Sequence, residues 1–438
     1  CDKQARDDGR PSAHLEGLKL IGSPAVQRPA TVRRMSRRRL LGVLGLALSL
    51  AAVPSAHADG RPPDAAGTVC TYEVPEAPPY DTPQGHVRVH YVAGASDRDA
   101  PRSTSTRVAG VPDWVVSAGD AAEAALTRET GLGFPVPPAD DGDGAERGGD
   151  ARYDLYVCDL ASHDLGELAA TVADPPGSGF SYIVVDNDYS PAEVAPLKTT
   201  GVEQLRVTIA HELFHAIQIG QARGRLPGWL AEATAVWMEG IVVPPDVDRE
   251  IYRVALGGAG TEEPYWQGGD LHAYGAWWLV EQFESEHPGF VRRLLALAAG
   301  RADADAEGLQ LLARALGGRR ALAVAFARFA RTALDDPLVG QALRSRRAAR
   351  LGPGGRVVLH ASVPPLGLVL WRVPATVAAV TVRRVGGAAL AVAVRRGSSE
   401  RAVPKRGPLR LTRGRGSLVV LVAGGATSAH DIRLVLSS

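Results

Sequence analysis

The sequence predicts an α+β protein: a mixed sheet followed by a mostly helical lobe, with a C-terminal all-β sandwich. Three observations carry this. Apolar-polar alternation at His86 to Val92 and Tyr153 to Cys158, and the β-rich run Ser181 to Val185 before the turn signal Asp186-Asn187-Asp188, read as strands. An apolar stripe of helical period runs from about Val202 to Ala333, and beyond Gly352 the pattern changes to short apolar runs between Gly and Pro.

Residues 1–34 precede Met35 and have the polar, Pro-containing composition of a mis-assigned start. Residues 35–58 read as a secretory signal peptide: Arg37-Arg38-Arg39, a 14-residue apolar run from Leu40 to Val53, then Pro54 and Ala56-His57-Ala58. That run falls short of the roughly 20 residues that span a bilayer, so cleavage after Ala58 and a secreted protein are expected. The route stays open between a twin-arginine signal and an ordinary positive leader. Downstream of the leader two cysteines remain, Cys70 and Cys158, and an oxidising compartment makes a disulfide between them the expectation, with a catalytic thiol as the competing reading.

Residues 59–85, rich in Pro and acids, predict an extended N-terminal segment, with a short propeptide as a further reading. A catalytic domain is expected over 86–340. Its first helix runs from Trp114 to Thr130 and stops at Gly131. Asp140, Asp141 and Asp143 in an Asp/Gly loop, and Asp186 with Asp188 after the third strand, are conceivable calcium ligands; their spacing does not match an EF-hand, and solvated turns are the simpler reading. Breaks at Gly220 to Gly228, Gly240 to Pro245, Gly257 to Gly269, His287 to Gly289 and near Gly317 divide the helical region into five or six helices.

Six short runs over 352–438 predict the sandwich: Val357 to Ser362, Leu366 to Val373, Val377 to Val382, Ala389 to Val394, Ser417 to Val422 and Asp431 to Leu436. From Arg344 to Arg415 there are sixteen Lys/Arg and one acid, Glu400. Such a surface could dock acidic cell-surface polymers, or simply be solvated. No nucleic-acid partner is expected: the whole chain balances 49 cationic against 48 acidic residues, only 5% are aromatic, and no basic groove motif is present.

The sharpest chemical signal is His211-Glu212-Leu213-Phe214-His215. Histidines at i and i+4 project from one helical face, so both imidazoles can meet one divalent metal, while Glu212 sits one position round. This is the zincin active-site helix pattern. Chance gives such a match in about one chain in a hundred of this histidine content, before helical context is required. The context is present, with Val202, Leu205, Ile209, Leu213 and Ala216 as an apolar stripe and no interrupting Pro.

Catalytic zinc needs a third protein ligand and an open fourth position. A metzincin would carry Gly and His where this chain has Gln218 and Gln221, which excludes that class. A gluzincin supplies a downstream glutamate, and Glu232 is an isolated carboxylate in the otherwise apolar helix from Gly228 to Gly240. Glu239, one heptad on, either orients a ligand histidine or is a surface carboxylate.

Ile209 to Gln218, Trp229 to Glu239 and Tyr182 to Asp188 together resemble secreted bacterial zinc metallopeptidases of the gluzincin kind, over about His86 to Trp278. The resemblance implies a zincin-like catalytic domain, zinc as cofactor, His211, His215 and Glu232 as ligands, and Glu212 as general base acting on a peptide or protein substrate. It also implies that strand Ser181 to Val185 is the sheet edge that pairs with an extended peptide, and that an oxyanion donor lies on the next helix. Tyr274 is the candidate, with Tyr265 and His272 as rivals. One departure is that gluzincins often carry an acid four residues after the ligand glutamate, where this chain has Val236. Endopeptidase action is the default expectation. A zinc-retaining but catalytically silent protein and an export protein with an accidental motif are the rival readings.

Overall fold

The computed structural model describes residues 61–62, 69–94, 97–138, 148, 150–161, 168–223, 225–257, 270–299, 305–337, 350–385, 391–396, 399–404, 408–411, 418–424 and 430–438, all within one compact unit. The leader at 35–58 and Asp140, Asp141, Asp143 and Tyr265 lie outside the described residues. Among the described residues no helix is long and apolar enough to cross a membrane.

The chain is α+β. Its first sheet is built from β1 (Tyr80–Asp81), β2 (Val87–His90), β3 (Tyr153–Cys158), β4 (Ala169–Ala173) and β5 (Ser181–Asp186), with α1 (Asp113–Gly131) between β2 and β3. The strand order is β1-β2-β3-β5-β4. β2, β3 and β5 are parallel, and β1 and β4 join antiparallel, so the sheet is mixed. Here one expectation is corrected. Ser181 to Val185 is not the edge: it lies between β3 and β4, and β4 is the terminal strand. The sequence Ala169-Ala-Thr-Val-Ala173 is too short and too alanine-rich to announce a strand, and it forms because its backbone pairs with β5 across a tight return.

One face of this sheet presents Val87, Val89, Leu155, Val157, Ile183 and Val185 to α1 and to α2 (Gly201–Ala222). The other face presents Tyr156, Cys158, Tyr182 and Val184, and the N-terminal segment covers it with Cys70 and Tyr72. Cys70 and Cys158 are at disulfide distance, Cα to Cα 6.7 Å. The Tyr72 hydroxyl donates to the Val157 carbonyl at 3.0 Å, and the buried Arg61 guanidinium pairs with Asp154 and Asp174. Arg61, Cys70 and Tyr72 are therefore built into the sheet's back face, and a cleavage near Gln84 would remove β1, this cover and both ion pairs.

α2 is buried nearly all round, as a helix between two cores must be. Leu205, Ile209, Leu213 and Ala216 pack on the sheet, whereas Phe214 and Ile217 enter the helical core on the opposite side. Each large apolar side chain buried this way contributes about 1.5–3 kcal/mol. α2 ends at Arg223, whose left-handed backbone (φ 49°) turns the chain back into α3 (Gly228–Val242). The lobe continues with α4 (Arg249–Gly257), α5 (Asp270–Gly275), α6 (Trp277–Glu286), α7 (Phe290–Ala298), α8 (Asp305–Ala315) and α9 (Arg319–Asp335). That makes eight helices among the described residues of this region, against the five or six expected. The surplus arises because 269–287 and 289–317 each hold two helices, and the break at Ala276 is a single turn closed by its N–H on the Ala273 carbonyl.

Among its described residues the C-terminal region forms eight strands in two antiparallel four-stranded sheets. β6 (Arg356–Val363), β8 (Ala379–Val385), β11 (Leu409–Arg410) and β13 (His430–Ser437) make one, and β7 (Leu368–Val373), β9 (Ala391–Arg396), β10 (Ser399–Ala402) and β12 (Leu418–Ala423) the other. Val369, Trp371, Val394, Val420, Val380 and Leu434 form the core between them. β10 and β11 were not foreseen because Ser-Glu-Arg-Ala and Leu-Arg carry no apolar run. The outer face of the second sheet contributes Leu368, Leu370, Val419 and Ala423 to the helical core, and an Arg331–Glu400 pair at 2.5 Å and an Asp335–Arg395 pair flank that contact.

Candidate metal centre

The uninterrupted turn of α2 carries His211 and His215 on one side, and α3, returning antiparallel, brings Glu232 to them. His211 Nε2 and His215 Nε2 are 3.0 Å apart, and Glu232 Oε2 lies 3.2 Å from the first and 3.5 Å from the second. All three residues are buried. Metal bonds of about 2.0–2.1 Å in tetrahedral arrangement place neighbouring donor atoms about 3.3–3.4 Å apart. The spacing of this triad fits that figure.

The partners behind the ligands fix which nitrogen carries the proton. Gln218 Nε2 donates to the Ala231 carbonyl and to Thr234 Oγ1, both at 3.0 Å, so its Oε1 must accept from His215 Nδ1 at 2.8 Å. His211 Nδ1 lies 2.5 Å from Glu239 Oε1 and donates to that carboxylate. Both Nε2 lone pairs consequently face the Glu232 carboxylate oxygen, at 3.2 and 3.5 Å, and each other at 3.0 Å, in a buried site. Three converging acceptors are unfavourable together unless a cation lies among them, and such Nδ1 contacts are the usual support of metal-bound histidines. The residues present therefore fit zinc.

The electrostatics agree. Burial alone would lower the His211 pKa, but Glu232 and Glu239 outweigh it and hold it well above the ordinary histidine range. Burial would raise Glu232, and the facing His215 and His211 instead hold it below the usual carboxylate range. Burial pushes Glu239 up to about 8 against the pull of His211, with Asp246 adding to the rise. A proton and a cation thus compete for the same place.

Glu212, buried one position round from His211, has its Oε2 2.7 Å from Thr171 Oγ1 on β4. Tyr274 of α5 is buried with its ring nearly parallel to His211, centroids 5.9 Å apart, and burial together with the charge of Glu232 holds its pKa well above the ordinary tyrosine value. Tyr252 packs against Tyr274 at 5.2 Å. His272 is buried, which lowers its pKa to about 4, and it is not a member of the three-donor cluster. The structure thus gathers His211, Glu212, His215, Glu232, Glu239 and Tyr274 in one place. Glu239 serves His211 where the family pattern has an acid at the Val236 position.

Sequence reasoning overlooked Gln218, Thr234 and Thr171. Gln218 and Thr234 were legible as polar residues on otherwise apolar helices, whereas Thr171 lies on the unforeseen strand. Asp186, Asp188 and Glu193 also approach one another. Asp186 Oδ1 accepts the N–H groups of Asp188 and Tyr189, and its Oδ2 accepts that of Leu160, each at 2.9 Å, so it organises the turn after β5.

The fold and the cluster define an α+β protein with a three-donor centre between α2 and α3. No family model, curated protein or solved structure matches the chain.

Proposed function

We propose that this protein is a zinc-dependent peptidase of the gluzincin kind with a zincin-like catalytic domain, exported through the leader at 35–58. The observation that carries the reading is the buried His211, His215 and Glu232 triad, its histidines oriented by Glu239 and Gln218, with Glu212 beside it. Bound zinc supplies a Lewis acid and lowers the pKa of a coordinated water towards about 7. Glu212 accepts the proton of the attacking water and delivers it to the leaving amine. An extended peptide substrate pairs with the backbone of β4, the terminal strand of the sheet next to Glu212. The basic sandwich is proposed to hold the enzyme near acidic cell-surface polymers.

Tyr274, stacked beside His211, remains the candidate oxyanion donor. Its burial, 3% exposed, favours a second reading, a zinc-retaining but catalytically silent binding protein. Hydrolysis of a mixed peptide library by the zinc-loaded chain decides between them. Cleavage abolished in Glu212→Ala with zinc retained supports the peptidase, and a zinc-loaded chain inert on every peptide supports the silent protein.

A further inference from the structure

The proposed substrate edge and the proposed base are joined by one hydroxyl. Thr171 sits in the middle of β4, opposite Ile183 of β5, and is buried. Its Oγ1 lies 2.7 Å from Glu212 Oε2 and 2.8 Å from the Glu212 carbonyl oxygen, 41 residues away in sequence. A hydroxyl has one proton to donate, and an ionised carboxylate is the stronger acceptor, so that proton goes to Oε2. The bond pins the carboxylate's orientation and occupies one of its two oxygens, which leaves Oε1 to take the proton from water. Any displacement of β4 moves this hydroxyl and the pairing edge together.

We propose that Thr171 is the positioning residue for Glu212, coupling the strand on which an extended peptide pairs to the carboxylate that accepts the proton. The inference rests on the peptidase reading. Misplacing a reacting group by about 1 Å costs up to about 100-fold in rate. Thr171→Val, which keeps the shape and removes the hydroxyl, should lower kcat about 10- to 100-fold while leaving KM and zinc content unchanged, and Thr171→Ser should restore most of the loss.

A readout independent of turnover uses acetohydroxamate, a small zinc-binding probe whose acidic proton a neighbouring carboxylate can accept. Binding to the zinc-loaded full chain is measured by calorimetry for the wild type, Thr171→Val, Glu212→Gln and the double variant. Because Thr171 acts through Glu212, Thr171→Val should weaken binding about tenfold alone and less than twofold in the Glu212→Gln background. Equal weakening in both backgrounds, or none in either, overturns the role of Thr171 while leaving the metal site standing. A wild-type chain that takes up neither zinc nor acetohydroxamate overturns the peptidase reading and the role of Thr171 with it.

Discussion

Replacing Gln218 by leucine removes the acceptor that fixes His215 and both amide donors that tie α2 to α3. Thr234 Oγ1 keeps a partner in the Leu230 carbonyl at 2.7 Å, so the chief orphan is the His215 Nδ1–H. An unsatisfied buried donor costs about 1–3 kcal/mol, and loss of such a supporting contact typically weakens metal binding about 10- to 100-fold. At a fixed zinc excess, a 100-fold weaker Kd removes about 2.7 kcal/mol of zinc-dependent stabilisation. Competition titration against a fluorescent chelator gives the affinity, and thermal unfolding with and without zinc gives the linked stability. Thr234→Val is the internal control: it loosens the amide but leaves the acceptor on His215, and should cost less than about tenfold in affinity. A Gln218→Leu protein that binds zinc within threefold of wild type would refute the argument that this amide sets the histidine's tautomer.

Tyr274→Phe deletes a hydroxyl beside the triad and should lower kcat about 100-fold with zinc affinity unchanged; a loss of zinc affinity instead would contradict the oxyanion-donor role. His90, buried between Glu76 at 2.5 Å and Asp154 at 2.9 Å, has its pKa raised: burial opposes the charged form, but the two carboxylates outweigh it. A folded-state pKa above the unfolded value stabilises fully below about pH 6.5 and less as pH rises through the folded value. Urea unfolding should therefore find His90→Gln more destabilising at pH 6 than at pH 9, and an equal loss at both would contradict the ion-pair account. Removing the Cys70–Cys158 link, which closes a separation of 88 residues, should lower stability by about 4.5 kcal/mol in the chain-entropy treatment. An unfolding temperature indifferent to reductant would contradict it.

The residues of the three-donor cluster were legible because local rules encode them. An i, i+4 histidine pair has one geometry on a helix, and Glu232 and Glu239 stand out against the apolar face of α3. β4 was not legible, since its strand character comes from pairing with β5 rather than from Ala-Ala-Thr-Val-Ala itself. With it went the true sheet edge and Thr171. The role of Arg61 was hidden for a related reason. Arg61 meets Asp154 across 93 positions and Asp174 across 113, and composition does not report contacts that distant. In the sandwich, apolar periodicity revealed the six strands that fill the core and passed over β10 and β11, which lie at the borders of the sheets.

Zinc content decides whether the three donors act as one site. The chain from residue 59 and its Glu232→Ala variant are expressed with zinc supplied, dialysed, and measured by elemental analysis. The triad predicts one zinc per wild-type chain and a weakened or lost ion in the variant. No zinc in either protein, or one zinc held equally by both, would contradict a centre built from His211, His215 and Glu232.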